Sequence, residues 1–85
     1  MAVYRILIER SVLKQLKTVP KKDYNKIISA ITSLADHPRP EGSIKLRGRQ
    51  AYRIRQGNYR IIYEINDYAL IVTVVDAGDR KDIYN

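Results

Sequence analysis

There is no cysteine in this 85-residue chain, so neither a disulfide framework nor a thiolate zinc site can form. That absence suits a reducing, cytoplasmic setting. The single histidine, His37, stands in a loop-like stretch before Pro38. It leaves no histidine pair to act as acid and base in one site, and no basis for a Ser-His-Asp set. No GxxxxGK[ST] run is present to cradle a phosphate. No apolar run approaches the ~20 residues that span a bilayer, and the charges in MAVYRILIER interrupt any signal-peptide core. Repeats, low-complexity segments and linkers long enough to divide domains are also missing. Acids are scarce, nine Asp and Glu against sixteen Lys and Arg, for a net charge of +7. Asp67, Asp76, Asp79 and Asp82 are conceivable Mg²⁺ ligands, but they stand among arginines in turn-like stretches, so no metal and no cofactor is expected.

What is present is a basic chain with enough apolar content to fold. Hydrophobic residues make up 45 %, which argues against disorder. At this length a chain buries only ~60–65 % of its unfolded surface, so one domain spanning residues 1–85 is expected, with a single core. Residues 3–9 (VYRILIE) alternate like a strand. Ser11 stands where an N-cap belongs, before a helix of roughly two turns that Pro20 stops. Val12, Leu13 and Leu16 share one face of that helix. A second helix begins around residues 20–23. Its Tyr24, Ile27, Ile28, Ile31 and Leu34 follow the i, i+3, i+4, i+7 spacing of a buried stripe. HPRPEGS then reads as loop.

Residues 44–46, 51–55 and 59–65 read as strands, the last two joined by a tight turn at Gln56-Gly57-Asn58. After a turn at Asn66-Asp67, residues 68–76 (YALIVTVVD) form the most continuously apolar segment, which belongs inside a sheet. The pattern predicts an α+β fold in the order β-α-α-β-β-β. A mostly antiparallel sheet of four to five strands carries an N-terminal αα-hairpin on one face, and the first strand returns beside later ones.

Charge is concentrated where the strands are. Residues 39–60 gather Arg39, Lys45, Arg47, Arg49, Arg53, Arg55 and Arg60 against one acid, Glu41. Alternation puts Tyr52 and Ile54 on one face of their strand and Arg53 and Arg55 on the other, where Arg60 joins them across the hairpin. Lined-up arginines repel one another, so a polyanion is the natural partner. Cleaving RNA through its own 2′-hydroxyl needs a base for that proton, cations for the phosphorane dianion and an acid for the leaving 5′-oxygen. Arg60 and Arg80 suit the second role. Tyr84 is the candidate for proton transfer, because positive neighbours lower a phenol from its ordinary pKa of ~10. The competing account of Arg53 and Arg55 is the solvated face of an amphipathic strand. For Tyr24, Tyr52 and Tyr63 it is core packing with the hydroxyl at the rim.

KLRG (45–48), YRIR (52–55), GNYRIIYEI (57–65) and GDRKDIY (78–84), in this order, resemble the RelE branch of the RelE/ParE toxin superfamily. The resemblance covers essentially the whole chain. It implies the toxin of a type II toxin–antitoxin pair, a ribosome-dependent mRNA endoribonuclease that inhibits translation. The partners it implies are the ribosome, mRNA and an antitoxin expected to be acidic and partly helical, with no membrane and no small-molecule cofactor. Carried over by position, it makes Arg60, Arg80 and Tyr84 catalytic, and Lys45, Arg47, Arg53, Arg55 and Lys81 contacts to RNA or ribosome. Asp79 stands where many relatives have histidine, which leaves the general base unassigned. ParE-type relatives share the fold and inhibit DNA gyrase without cutting nucleic acid. That target, and a basic module that only sequesters RNA, are the alternatives.

Overall fold

The computed structural model describes residues 3–79. Five strands and two helices follow in the order β1 (Arg5–Ile8), α1 (Arg10–Leu16), α2 (Lys21–Ser33), β2 (Ile44–Lys45), β3 (Ala51–Gln56), β4 (Tyr59–Asn66) and β5 (Ile71–Asp79). They make one sheet in the order β1-β5-β4-β3-β2. The three pairings from β2 to β5 are antiparallel, and β1 returns parallel to β5, Arg5 beside Ile71 and Ile8 beside Val74. The predicted α+β arrangement is therefore the observed one, with the leading strand inserted beside the last.

Both helices cover one face of the sheet. Val12 and Leu16 of α1 and Ile27, Ile31 and Leu34 from α2 and its end pack with Ile54, Ile61, Tyr63, Val72, Val74 and Ala77 of the strands. Burying one such aliphatic side chain is worth about 1.5–3 kcal/mol, and these contacts carry most of the favourable free energy of so small a fold. Tyr63 is fully buried, and its hydroxyl donates to the Pro38 carbonyl at 2.7 Å. That bond satisfies the one polar atom the ring brings inside and ties the loop after α2 to the middle strand.

Two boundaries and the burial of one residue differ from the sequence reading. The N-cap of α1 is Glu9, not Ser11, which lies inside the helix; the Glu9 carbonyl accepts from Val12 and Leu13 while its amide bonds Val74 of β5. Strand pairing thus fixes the helix start. Leu13, expected on the buried face, is exposed. The last strand begins at Ile71 rather than Tyr68, because the Asn66 side chain accepts from the amides of Tyr68 and Ala69 and holds residues 67–70 in a turn. Leu70 closes that turn at φ +57°, a left-handed state that a leucine adopts only at a cost.

Candidate nucleic-acid interface

The face of the sheet opposite the helices is where the charges gather. The β3–β4 hairpin closes on two residues, Gly57 and Asn58, with Gly57 at φ +62°, the left-handed state glycine adopts most easily. This turn sets the register, pairing Arg55 with Arg60, Arg53 with Ile62 and Ala51 with Glu64. Arg53, Arg55 and Arg60 consequently share one face, as expected. Arg55 and Arg60 stand directly opposite each other, and opposed like charges cost a strand pair roughly 0.2–1 kcal/mol unless an acid offsets them.

The three are not equivalent. Arg55 is exposed, Arg53 is half-buried, and Arg60 is only 3 % exposed. The sequence places all three on one face without grading their exposure; in the structure the innermost guanidinium is withdrawn from water. An arginine stays charged under burial, and its field is less diluted there than at the surface. The Nε of Arg53 is also out of water and has no hydrogen-bond partner among the described residues.

A bulge in β5 adds an acid to this face. Ile62 pairs with Asp76, but its successor Tyr63 pairs with Val74, leaving Val75 as the extra residue. Without it, Asp76 would share the parity of Val72 and Val74 and point into the core. With it, Ala77 takes the core position and Asp76 turns to the arginine side, across Ile62 from Arg53. The signal was present in the sequence. An aspartate on the core parity of an otherwise apolar strand demands a shift of register.

The other basic positions go elsewhere. Lys45 pairs with Tyr52, so it stands on the opposite parity from Arg53, and Arg47 lies in the turn after β2. Arg49 forms a 3.6 Å ion pair with Glu64. Arg39 is committed to a clasp that the charge count could not foresee. Its guanidinium donates to both Asp67 oxygens, at 2.9 and 3.4 Å, and to the Tyr52 hydroxyl at 3.1 Å, while Tyr4 donates to Asp67 at 2.7 Å. These bonds from Arg39 first, then Tyr4, hold the Asp67 carboxyl below its usual range. On the helix side, the Tyr59 hydroxyl donates to Asp23 at 3.0 Å, which raises its pKa. Arg80, Lys81 and Tyr84 lie outside the described residues.

This fold has known counterparts. The family model for the ParE toxin of type II toxin–antitoxin systems, parDE, matches residues 6–84. A RelE-like toxin protein of Escherichia coli is 30 % identical over 87 residues, covering 96 % of this chain and 90 % of that protein. Among solved structures, the archaeal RelE–RelB complex from Pyrococcus horikoshii is 31 % identical at a TM-score of 0.83, covering 92 % of this chain and 96 % of that one. The RelB–RelE complex of Methanococcus jannaschii is 28 % identical at a TM-score of 0.75, covering 93 % and 95 %. The chain belongs to the RelE branch of the RelE/ParE superfamily, the toxins of type II toxin–antitoxin systems.

Proposed function

We propose that the protein is a ribosome-dependent mRNA endoribonuclease, held inactive by a cognate antitoxin. The observation that supports this reading is that Arg53, Arg55 and the buried Arg60 share the face of the sheet opposite the helices. In the proposed reaction the 2′-oxygen of the substrate attacks the adjacent phosphorus, its proton passes to a base, and the 5′-oxygen leaves with a proton. Arg60 and Arg80 stabilise the phosphorane between these events, where charge on the non-bridging oxygens is greatest. Tyr84 is assigned to proton transfer. Arg53 and Arg55, together with Lys45, Arg47 and Lys81, are assigned to contacts with the phosphates of RNA or ribosome. Dependence on the ribosome follows if the site binds charge but leaves alignment of the 2′-hydroxyl to another surface, since alignment is worth several kcal/mol of barrier. The relatives solved with RelB support an antitoxin as the protein partner.

Mapping of 5′ ends in a translation reaction tests the reading. New ends are expected on mRNA only when ribosomes are present, and they should disappear with Arg80→Ala and fall strongly with Tyr84→Phe in folded protein. Intact mRNA in every lane would overturn it. A second target, DNA gyrase, has the ParE name of the matching family model in its favour. Cleaved-DNA gyrase complexes trapped by the protein, with mRNA untouched, would decide for that target.

A further inference from the structure

The cleavage proposed above needs an acceptor for the 2′-hydroxyl proton, and the arginine face is poor in acceptors. An arginine does not give up its proton in a protein, so Arg53, Arg55 and Arg60 are excluded from that role. His37 stands at the end of α2, on the helix side, where its amide donates to the Ser33 carbonyl at 3.1 Å. Strands β3 to β5 bring two carboxylates to the arginine face, Glu64 and Asp76. Glu64 pairs with Ala51, a row beyond Arg53, and is engaged by Arg49 at 3.6 Å. Asp76 is half-buried and forms no ion pair among the described residues. Ile62 lies between Arg53 and Asp76, paired with one on each side. With adjacent strands about 4.8 Å apart, Arg53 and Asp76 stand about 10 Å from each other across that isoleucine. Arg60, two residues before Ile62, is diagonal to Asp76, at the ~7–8 Å that long side chains bridge. Directly opposite Arg60 is Gly78, which contributes no side chain. The ground over Ile62 is therefore apolar, bordered by two arginines and one carboxylate.

We propose that Asp76 is the general base of the cleavage, the group that accepts the 2′-hydroxyl proton. The proposal rests on the nuclease reading above and deepens it. A scissile phosphate seated over Ile62 meets Arg53 and Arg60 through its non-bridging oxygens, and its neighbouring ribose falls on the Asp76 side. The carboxylate then takes the 2′-hydroxyl proton and becomes the neutral acid while the 2′-oxygen bonds to phosphorus. The bond from phosphorus to the 5′-oxygen breaks, and that oxygen takes its proton from the Tyr84 phenol. The products are a 2′,3′-cyclic phosphate and a 5′-hydroxyl, so every proton is accounted for. The bulge at Val75 gives this assignment a second support. An apolar residue at position 76 would let β5 run on without a shift of register, whereas the bulge re-aims a carboxylate at the arginines.

Single-turnover cleavage of a ribosome-bound mRNA, followed against pH, tests the assignment. Asp76→Asn keeps the shape of the side chain and removes the acceptor. It is expected to slow cleavage by about 10²–10⁴-fold, the usual contribution of a positioned base, with affinity for the ribosome unchanged. The wild-type rate should climb as the medium becomes less acid, and Asp76→Asn should lose that acid limb. Asp76→Glu restores a carboxylate and is expected to regain the limb and part of the rate. The other charged groups around Asp76 are Arg53 of β3, Arg60 and Glu64 of β4, and Glu9 and Arg10 where β1 passes into α1. All of them are common to wild type and variants, so a difference between the profiles reports position 76 itself. A folded Asp76→Asn protein that cleaves at the wild-type rate overturns the assignment. So does a slow variant that keeps the wild-type limb, because Asp76 would then serve only the bulge. Should Asp76→Asn lose its native circular dichroism, Asp76→Glu decides, upholding the base if the limb is present and overturning it if the limb is gone. Wild-type protein that leaves mRNA intact at every pH removes the nuclease reading, and the base with it.

Discussion

Arg39 and Arg60 carry the same guanidinium under opposite circumstances, and their substitutions should behave oppositely. Arg39 lies at the surface in an ion pair with Asp67, both side chains about half exposed. Such pairs contribute about 0–1 kcal/mol, so Arg39→Ala is expected to lower stability by no more than that in denaturant titration. The Asp67 carboxyl is held below its unfolded value, so its contribution is present above the ordinary carboxylate pKa and fades as acid protonates it. Arg60, withdrawn from water, is the residue whose loss should be seen in activity. Arg60→Ala is expected to reduce cleavage about 10²–10³-fold, the usual cost of removing one donor aimed at a developing oxyanion. Tyr63 supplies a separate pH signature. Burial pushes its phenol up to about 12 from 10.0. The folded state therefore holds the proton more tightly, and the associated stability, complete below 10.0, is lost as pH rises toward about 12. Tyr63→Phe should flatten the alkaline limb of the stability profile, at a loss of about 1 kcal/mol at neutral pH for the missing bond to Pro38.

At the scale of elements, the hairpin and the bulge do the positioning. Periodicity in the strands made Arg53, Arg55 and Arg60 legible as neighbours, because a two-residue turn leaves one register available. Nothing in the same periodicity could show that Arg60 is buried while Arg55 is wet. Nor could it show that Lys45 stands on the opposite parity from Arg53, since that depends on how the two residues of β2 dock. The turn before β5 offers a test of local strain. Leu70 holds φ +57° at the surface, and its carbonyl accepts from Arg5 of β1 at 2.8 Å. Leu70→Gly keeps that bond and removes the steric penalty, so thermal unfolding should show a gain of about 1 kcal/mol. Ile31→Ala, in the packed stripe of α2, should show a loss of about 2–5 kcal/mol by the same measurement.

For the whole molecule, the charge balance of +7 governs encounter rather than fold. Binding to single-stranded RNA is expected to weaken steeply with salt, with a log–log slope of about −0.7 per neutralised phosphate. Arg53→Gln together with Arg55→Gln should lower that slope by about 1–2 units if each arginine holds a phosphate. An unchanged slope would mean that the pair is only the wet side of an amphipathic strand. Each helix buries a stripe against the same side of the sheet, which leaves the other side for the arginines. The division of labour between faces is thus a consequence of packing both helices together.

From sequence alone came the order of elements, the apolar stripe of α2, the hairpin and the gathering of arginines on one face. These are local matters, set by periods of 3.6 and 2 and by turn residues such as Gly57. Tertiary structure decided what depends on contacts far apart in the chain. The parallel return of β1 beside β5 moved the start of α1 to Glu9, by binding the Glu9 amide to Val74. The Arg39–Asp67 clasp, spanning 28 positions, took one arginine out of the basic count. The bulge at Val75 turned Asp76 out of the core, and β2 docked on β3 over two residues only, which put Lys45 beside Tyr52. In each case a backbone or charged group had to find a partner across the fold, and only packing determined which group that was.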